Sequence, residues 1–236
     1  MKIGIVGSGY VGLVTGTCLA HLGHTVTCVD HDKTKIRTLK KGKIPFYEPG
    51  LMEMVLENVA SKRLSFTSEI SRIVNRCEVI FICVHTPPKP HGEADLSFVG
   101  MVAKEIATHL RQYCLIVEKS TVPVETGEWV RQTVKRHIKK DVHFDVASNP
   151  EFLREGSAIH DFLQPDRIVI GVSSDRAEKI FRKLYSPLKA PMIVTDIKSA
   201  ELIKHAANSF LATKISFTNA VSRICDAVGG MLRRSP

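Results

Sequence analysis

The sequence of 236 residues has little of what marks several specialised protein classes. It has 15 glycines and 11 prolines, too few for a collagen-like or low-complexity chain. Aromatic residues make up only 6% of the chain, with a single tryptophan. No apolar run approaches the roughly 18 residues that a membrane-spanning helix needs. With 44% hydrophobic and 24% charged residues, the composition indicates a globular protein of one large domain, or of one and a half.

Neither a disulfide framework nor a secretion signal is apparent. The six cysteines form no CxxC pair and have no regular spacing, so we expect reduced thiols and no metal site. Residues 3–20 contain five glycines and lack the compact apolar region of a signal peptide. These features predict a soluble, cytoplasmic protein.

The charge balance is basic, with 33 Lys and Arg against 24 Asp and Glu. Such an excess is compatible with a nucleic acid, a membrane surface or an anionic small molecule. The basic residues are scattered through helix-like segments, and no stacking aromatics are interleaved with them. This pattern favours a small molecule that carries phosphate over nucleic acid.

Short apolar runs alternate with amphipathic stretches along the chain. The runs are rich in β-branched residues and nearly continuous, as is typical of parallel strands covered on both faces. They occupy residues 3–6, 25–29, 79–84, 115–118, 144–147, 168–170 and 192–194. Helical patterns follow at 11–22, which ends at Gly23, and at 125–138. The alternation predicts an α/β fold with a doubly wound, mostly parallel, Rossmann-type sheet over residues 1–197.

The pattern changes after residue 197. Residues 198–228 contain no proline or glycine and keep a helical apolar rhythm. A helix of that length measures roughly 45 Å, too long for a simple crossover, so we expect the start of a connecting or dimer-forming element over 198–230. Residues 231–236 form a basic, atypical tail. We therefore expect a C-terminal domain to be absent from this chain.

The strongest local signal follows the first predicted strand. Residues 7–12 read Gly-Ser-Gly-Tyr-Val-Gly, a GxGxxG pattern that opens a helix. In this pattern Gly7 permits a tight turn, Gly9 lets the backbone approach a pyrophosphate, and Gly12 allows close packing of helix and strand. Asp30 ends the next strand, where a carboxylate accepts hydrogen bonds from both ribose hydroxyls and repels a 2′-phosphate. The sequence thus predicts an NAD site in preference to NADP.

Three further polar loops follow predicted strands, at residues 84–88, 119–123 and 149–156. Each by itself could be a strand-ending turn, because Thr-Pro and Asn-Pro are common turn sequences. Open α/β sheets bind ligands at the carboxyl ends of their strands. We therefore expect the three loops to face the dinucleotide site.

Seven segments together carry a family resemblance. They are residues 7–12, 47–51, 85–87, 119–123, 149–156, 165–167 and 201–208. In this order they resemble the UDP-glucose/GDP-mannose dehydrogenase family over residues 1 to about 229. The resemblance implies a two-step, NAD-dependent oxidation of a nucleotide sugar to a uronic acid. UDP-glucose is the substrate it favours, with GDP-mannose and UDP-N-acetylmannosamine as alternatives.

The resemblance also implies residue roles. Residues expected to line the cofactor site are Gly7, Gly9, Tyr10, Val11, Gly12, Asp30, Lys35, Thr86 and Thr121. Residues expected to contact the substrate are Glu151, Phe152, Leu153, Glu155, Lys204 and Asn208. Lys204 would stabilise an oxyanion, Asn208 would hold a water or oxyanion beside it, and Glu151 would position a water or the sugar. Thr121 joins these three as a catalytic candidate.

Helical spacing supports one pair independently of the family. Lys204 and Asn208 are four residues apart, so both project from one face of the predicted helix. The alternative from the helix alone is a surface lysine paired with Glu201.

One part of the family pattern is missing. The family nucleophile is a cysteine in a Gly-Gly-Ser-Cys-Phe-Pro-Lys-Asp loop beyond the long helix, and this sequence has no such loop. Cys225 lies among apolar helical residues and is expected to be a core thiol rather than a substitute. We therefore expect no uronate from this chain alone. A catalytically dead NAD-binding and dimerisation module, or a homodimer through the helix in a complete form, are both compatible with the sequence.

Overall fold

The computed structural model describes residues 1–230, in which the strands form a single sheet. The strands are β1 (Lys2–Val6), β2 (Thr25–Val29), β3 (Leu64–Thr67), β4 (Val79–Ile82), β5 (Cys114–Glu118), β6 (Phe144–Ser148), β7 (Ile168–Gly171) and β8 (Met192–Thr195). Their order is β3-β2-β1-β4-β5-β6-β7-β8. All neighbours are parallel except β6 and β7, which meet in one antiparallel pair, Ser148 with Gly171. The predicted doubly wound, mostly parallel sheet is confirmed.

Helices cover both faces of the sheet. They are α1 (Tyr10–His21), α2 (Lys33–Lys40), α3 (Leu51–Ala60), α4 (Ser71–Val74), α5 (Ser97–His109), α6 (Thr126–His137), α7 (Ala158–Leu163), α8 (Asp175–Leu184) and α9 (Ile197–Ala227). Two apolar cores result, and β5 shows the alternation between them. Leu115 and Val117 belong to the core under α1, α3, α7 and α8, while Cys114 and Ile116 belong to the core under α4, α5 and α6. Strands buried on both faces explain the nearly continuous apolar runs.

The sequence pattern missed β3. This strand has four residues, lies at the edge of the sheet and pairs only with β2. Ser65 is exposed and Thr67 is polar, so its apolar signal is weak. The predicted ends of other strands shift by one or two residues. In particular, β4 ends at Ile82 rather than at residue 84, because the chain turns there into the loop beside the Gly7 turn.

The long helix is confirmed as α9, which has 31 residues. Only its first turns pack on the sheet domain, where Ala200, Glu201 and Lys204 are buried. From residue 208 to residue 220 every residue is exposed. Cys225 is half-buried on this helix, so its expected place in a core is wrong. An apolar rhythm shows which face of a helix is apolar, but not what covers it. The predicted tail at 231–236 lies outside the described residues.

Within residues 1–230, none of the helices combines the length and the apolar character that crossing a membrane requires.

Candidate functional site

The turn between β1 and α1 has no room for a side chain at two of its glycines. Gly7 has a φ of +100°, and a Cβ there would collide with the carbonyl oxygen of Cys83. A Cβ on Gly12 would collide with the carbonyl oxygen of Gly7. Gly9 caps α1 in an extended conformation, which leaves the first amides of the helix pointing out of the turn. The turn can therefore receive the phosphates of a dinucleotide at the positive end of α1.

Asp30 lies immediately after β2 and is almost completely buried. Its Oδ2 accepts hydrogen bonds from the Ser8 amide at 2.9 Å and from Lys35 Nζ at 2.8 Å. Although burial works against ionisation, these hydrogen bonds and one from the Asp32 amide lower the pKa of Asp30. The carboxylate is therefore charged at neutral pH, and it forms an ion pair with Lys35.

A cavity of about 310 Å³ opens beside this carboxylate. Gly7, Gly9, Asp30 and Lys35 line one side of it, and Phe98 and Met101 of α5 line another. The combination of a polar end and an apolar wall suits a nucleoside, which has a ribose and a flat base.

The loops after β4 and β5 are joined by hydrogen bonds. The hydroxyl of Thr86 donates to the carbonyl oxygen of Thr121 at 2.9 Å. The hydroxyl of Ser120 donates to the carbonyl oxygen of Val84 at 2.8 Å. Two of the three polar loops thus meet at the carboxyl edge of the sheet, as predicted.

Asn149 fixes the third loop, and its importance was not predicted. Its side-chain amide donates to the Val169 carbonyl at 2.8 Å, and its Oδ1 accepts from Tyr185 at 2.6 Å and from Lys119 at 3.2 Å. Lys119 is buried, and this burial lowers its pKa to about 8. The polar residues at 119 and 149 were visible in the loops, but Tyr185 belongs to the end of α8 and carried no signal.

Lys204 meets Glu151 across the edge of the sheet. Lys204 Nζ lies 2.9 Å from Glu151 Oε1 and 5.3 Å from the centre of the Phe152 ring. Lys204 is only 7% exposed. The alternative interpretation, a surface lysine paired with Glu201, is therefore wrong. A cavity of about 390 Å³ adjoins this pair and is lined by Phe152, Leu153, Lys204 and Asn208.

Glu201 attaches α9 to the loop before α6. Its two carboxylate oxygens accept hydrogen bonds from the amides of Glu125 and Gly127, each at 2.7 Å. Glu125 has a φ of +78°, so α6 begins at Thr126 and not at residue 125 as predicted. One turn further along α9, a ring nitrogen of His205 lies 2.6 Å from the carbonyl oxygen of Val122. These contacts hold the start of α9, and with it Lys204, beside the sheet.

Two models of one protein family match this chain in succession. Residues 1–189 match the NAD binding domain of the UDP-glucose/GDP-mannose dehydrogenase family, and residues 198–233 match its central domain. The chain belongs to that family.

Similar proteins agree with this membership. UDP-glucose 6-dehydrogenase TuaD of Bacillus subtilis is 53% identical over 228 residues, which are 97% of this chain and 50% of that protein. UDP-glucose 6-dehydrogenase of Rhizobium meliloti is 49% identical over 97% of this chain and 54% of its own length. The chain thus spans about half the length of the curated relatives it matches.

Two solved structures have closely similar folds. UDP-glucose dehydrogenase from Pyrobaculum islandicum has a TM-score of 0.91 at 41% identity, covering 97% of this chain and 56% of that one. GDP-mannose dehydrogenase from Pseudomonas aeruginosa has a TM-score of 0.94 at 37% identity, covering 98% and 54%. The fold by itself therefore does not indicate whether the nucleotide sugar is UDP-glucose or GDP-mannose.

Among the residues suggested by the family resemblance, some line the cavities and others do not. The Tyr10 hydroxyl donates a hydrogen bond to Glu48 and does not face the turn between β1 and α1. Glu155 is exposed on its loop, and Val11 is half-buried at the start of α1. Asn208 is exposed at the rim of the cavity that also contacts Lys204.

Glu118, at the end of β5, is a buried acid that sequence analysis did not select. Its Oε1 accepts a hydrogen bond from the Ser120 amide at 2.9 Å, and its Oε2 has no partner among the described residues. Burial raises the pKa of Glu118 to about 8, with a further contribution from Glu201. The group is therefore largely a neutral acid at pH 7. Residue 118 ends the predicted strand at 115–118, but the strand pattern does not show that its carboxyl is buried without a full set of partners.

Proposed function

We propose that this chain provides the cofactor site and part of the catalytic site for the NAD-dependent oxidation of UDP-glucose to UDP-glucuronate. Residues 1–197 form the cofactor domain, and residues 198–230 begin the central element that supplies Lys204 and Asn208. The observation that carries the proposal is the buried contact between Lys204 and Glu151 at the carboxyl edge of the sheet, the same edge as the Gly7 turn. Overall, the primary alcohol, two NAD+ and one water would give the carboxylate, two NADH and three protons, because two hydrides leave the carbon and water supplies the second oxygen.

The phosphate turn and Asp30 fit NAD. Gly9 has no side chain where the backbone would approach a pyrophosphate, and the amides at the start of α1 would donate to it. The Asp30 carboxylate would accept hydrogen bonds from the ribose hydroxyls and repel a 2′-phosphate. Thr86 and Thr121, which are hydrogen-bonded to each other, would face the nicotinamide end. NAD bound here supplies the hydride acceptor.

Lys204 would act on the sugar alcohol. As the hydroxyl loses its proton and its carbon loses a hydride, negative charge develops on the oxygen. A buried ammonium beside that oxygen stabilises the charge more strongly than it would in water. Glu151 holds the Lys204 side chain in place, and Asn208 lies one turn further along α9 where its amide can hold a water or the oxyanion.

We favour UDP-glucose as the substrate on sequence identity. The UDP-glucose dehydrogenases of Bacillus subtilis and Pyrobaculum islandicum are 53% and 41% identical to this chain, and the GDP-mannose dehydrogenase is 37% identical. A chimera tests the assignment. In it, residues 1–229 of this chain replace the matching half of the Bacillus subtilis relative. With UDP-glucose, GDP-mannose and UDP-N-acetylmannosamine offered separately, we expect NADH and uronate from UDP-glucose.

Lys204→Ala in the chimera should lower kcat by roughly 100-fold or more, since removal of one electrostatic donor typically costs that much. The matched control is Lys214→Ala, on the exposed part of α9. A chimera that folds and binds NAD but oxidises none of the three sugars would contradict the proposal. That outcome would favour a catalytically dead NAD-binding module.

We also propose that the protein forms a homodimer through α9 and works in the cytoplasm. Support for the dimer is the exposed apolar surface of α9, which includes Phe210, Leu211, Ile215 and Phe217. Support for the cytoplasm is that all six cysteines are free thiols. Light scattering at about 10–50 µM should show a dimer, because exposed apolar patches associate at such concentrations. A monomer would contradict the proposed interface.

A further inference from the structure

The buried carboxylate of Glu48 joins two loops that are far apart in the sequence. Glu48 is 3% exposed. One of its oxygens accepts hydrogen bonds from the Tyr10 hydroxyl and from the Gly156 amide, the latter at 2.8 Å. The other accepts a hydrogen bond from the Ala158 amide at 2.8 Å. The carboxylate thus has three donors from two separate parts of the chain.

The donors come from two different binding elements. Tyr10 is the first residue of α1 and follows Gly9 of the phosphate turn directly. Gly156 ends the 149–156 loop, which carries Glu151 and Phe152 toward Lys204. The Tyr10 ring also packs on Phe46, with 5.0 Å between ring centres. The cofactor turn and the substrate loop therefore share one buried contact.

The hydrogen bonds to Glu48 favour its charged form. Burial of Glu48 works against its ionisation, yet the hydrogen bonds from Tyr10, Gly156 and Ala158 lower the pKa of Glu48. Hydrogen bonds to a charged acceptor are about twice as strong as neutral ones. Loss of one donor would leave part of a buried charge unsatisfied, so movement of either loop affects the other.

We propose that Glu48 is a positioning residue through which NAD bound at the phosphate turn orders the substrate loop, by way of the Tyr10 hydroxyl and the Gly156 amide. The inference rests on the proposed cofactor site. Coupling between binding sites is reciprocal, so order in the 149–156 loop strengthens NAD binding by the same factor.

Hydrogen exchange of the whole chain, measured by mass spectrometry with and without saturating NAD, tests the coupling. In the unsubstituted chain we expect NAD to slow exchange in residues 149–158 by about tenfold, within the usual range of such couplings. In Tyr10→Phe and in Glu48→Gln the slowing should fall below about threefold. Tyr47→Phe, at an 85% exposed side chain next to Glu48, is the matched control and should keep the full effect.

Hydrogen exchange in β5 reports whether each variant remains folded. If Glu48→Gln unfolds, Tyr10→Phe still tests the coupling, because it removes only one oxygen atom. A merely structural contact would alter exchange equally with and without NAD, which would overturn the proposal. Equal slowing in all variants would overturn it too. A separate NAD titration distinguishes failure of the proposed coupling from failure of the proposed cofactor site. Binding without a change in loop exchange contradicts the coupling alone, whereas absence of binding contradicts the cofactor site as well.

Discussion

The sheet domain and the distal part of α9 differ in what their apolar side chains contact. In the sheet, Phe81 and Ile116 are fully enclosed between strands and helices. On α9, Phe210 and Phe217 are 73% and 70% exposed. Hydrophobic burial stabilises the first region within this chain, whereas the second region exposes its apolar surface. Lys204 lies where the two regions meet, on the part of α9 that is anchored.

The largest expected effect is on the free energy of unfolding, which should respond very differently to substitutions in the two regions. Phe81→Ala, in β4, should lower the free energy of unfolding by about 3–5 kcal/mol, because it leaves a cavity in a closed core. Phe217→Ala, on α9, should change it by less than about 0.5 kcal/mol in the monomer. Urea denaturation at low protein concentration measures both. Equal losses would show that the exposed part of α9 is covered within the monomer.

A smaller effect is expected at the anchor between the regions. Glu201→Ala leaves the buried amide of Gly127 and the partly buried amide of Glu125 without their acceptor. The buried amide left unsatisfied should cost about 1–3 kcal/mol. Glu201→Gln, which keeps one acceptor oxygen, should recover part of the loss. Denaturation of both variants gives the values. If Glu201→Ala were as stable as the unsubstituted chain, α9 would not depend on this anchor.

Glu118, at the end of β5, should contribute to the pH dependence of stability. The pKa of Glu118 is about 8 in the folded protein, against an ordinary value of 4.5. Between these values the unfolded chain has lost the proton that the folded chain keeps, so Glu118 makes stability fall as pH rises. The slope has a limit of about 1.4 kcal/mol per pH unit.

Glu118→Gln removes this ionisation. Its free energy of unfolding should therefore fall less steeply between pH 5 and pH 8 than that of the unsubstituted chain. Glu53→Gln, at an exposed position of α3, is the control and should keep the original slope. Identical slopes for Glu118→Gln and the unsubstituted chain would show that Glu118 is ionised in the fold.

The same contrast explains what the sequence could predict. Continuous β-branched runs predicted seven of the strands because parallel strands are buried on both faces. The Gly7–Gly12 turn and Asp30 were predictable because their signal is local. Strand β3 was not, since an edge strand of four residues with an exposed serine gives little pattern.

Contacts between distant residues carried no local signal. Glu48 meets Gly156 over a separation of 108 residues, and Tyr185 meets Asn149 over 36. The family resemblance indicated the segments that contain Glu48, Gly156 and Asn149, but not the hydrogen bonds between them, and Tyr185 lies outside those segments. The burial of Cys225 was wrongly predicted for a related reason. Helical spacing placed it on an apolar face, and this face is largely exposed in the part of the chain that the structure describes.

The most direct test of the account is a calorimetric titration of this chain with NAD and with NADP. The chain should bind NAD, and it should bind NADP about tenfold more weakly or worse, because the Asp30 carboxylate that lines the cavity would repel a 2′-phosphate. Asp30→Ala should weaken NAD binding and narrow the difference between the two affinities. Asp141→Ala, at an exposed carboxylate that does not line the cavity, serves as the control. Equal affinities for both cofactors, tighter binding of NADP, or no binding of NAD would contradict the assignment of this site.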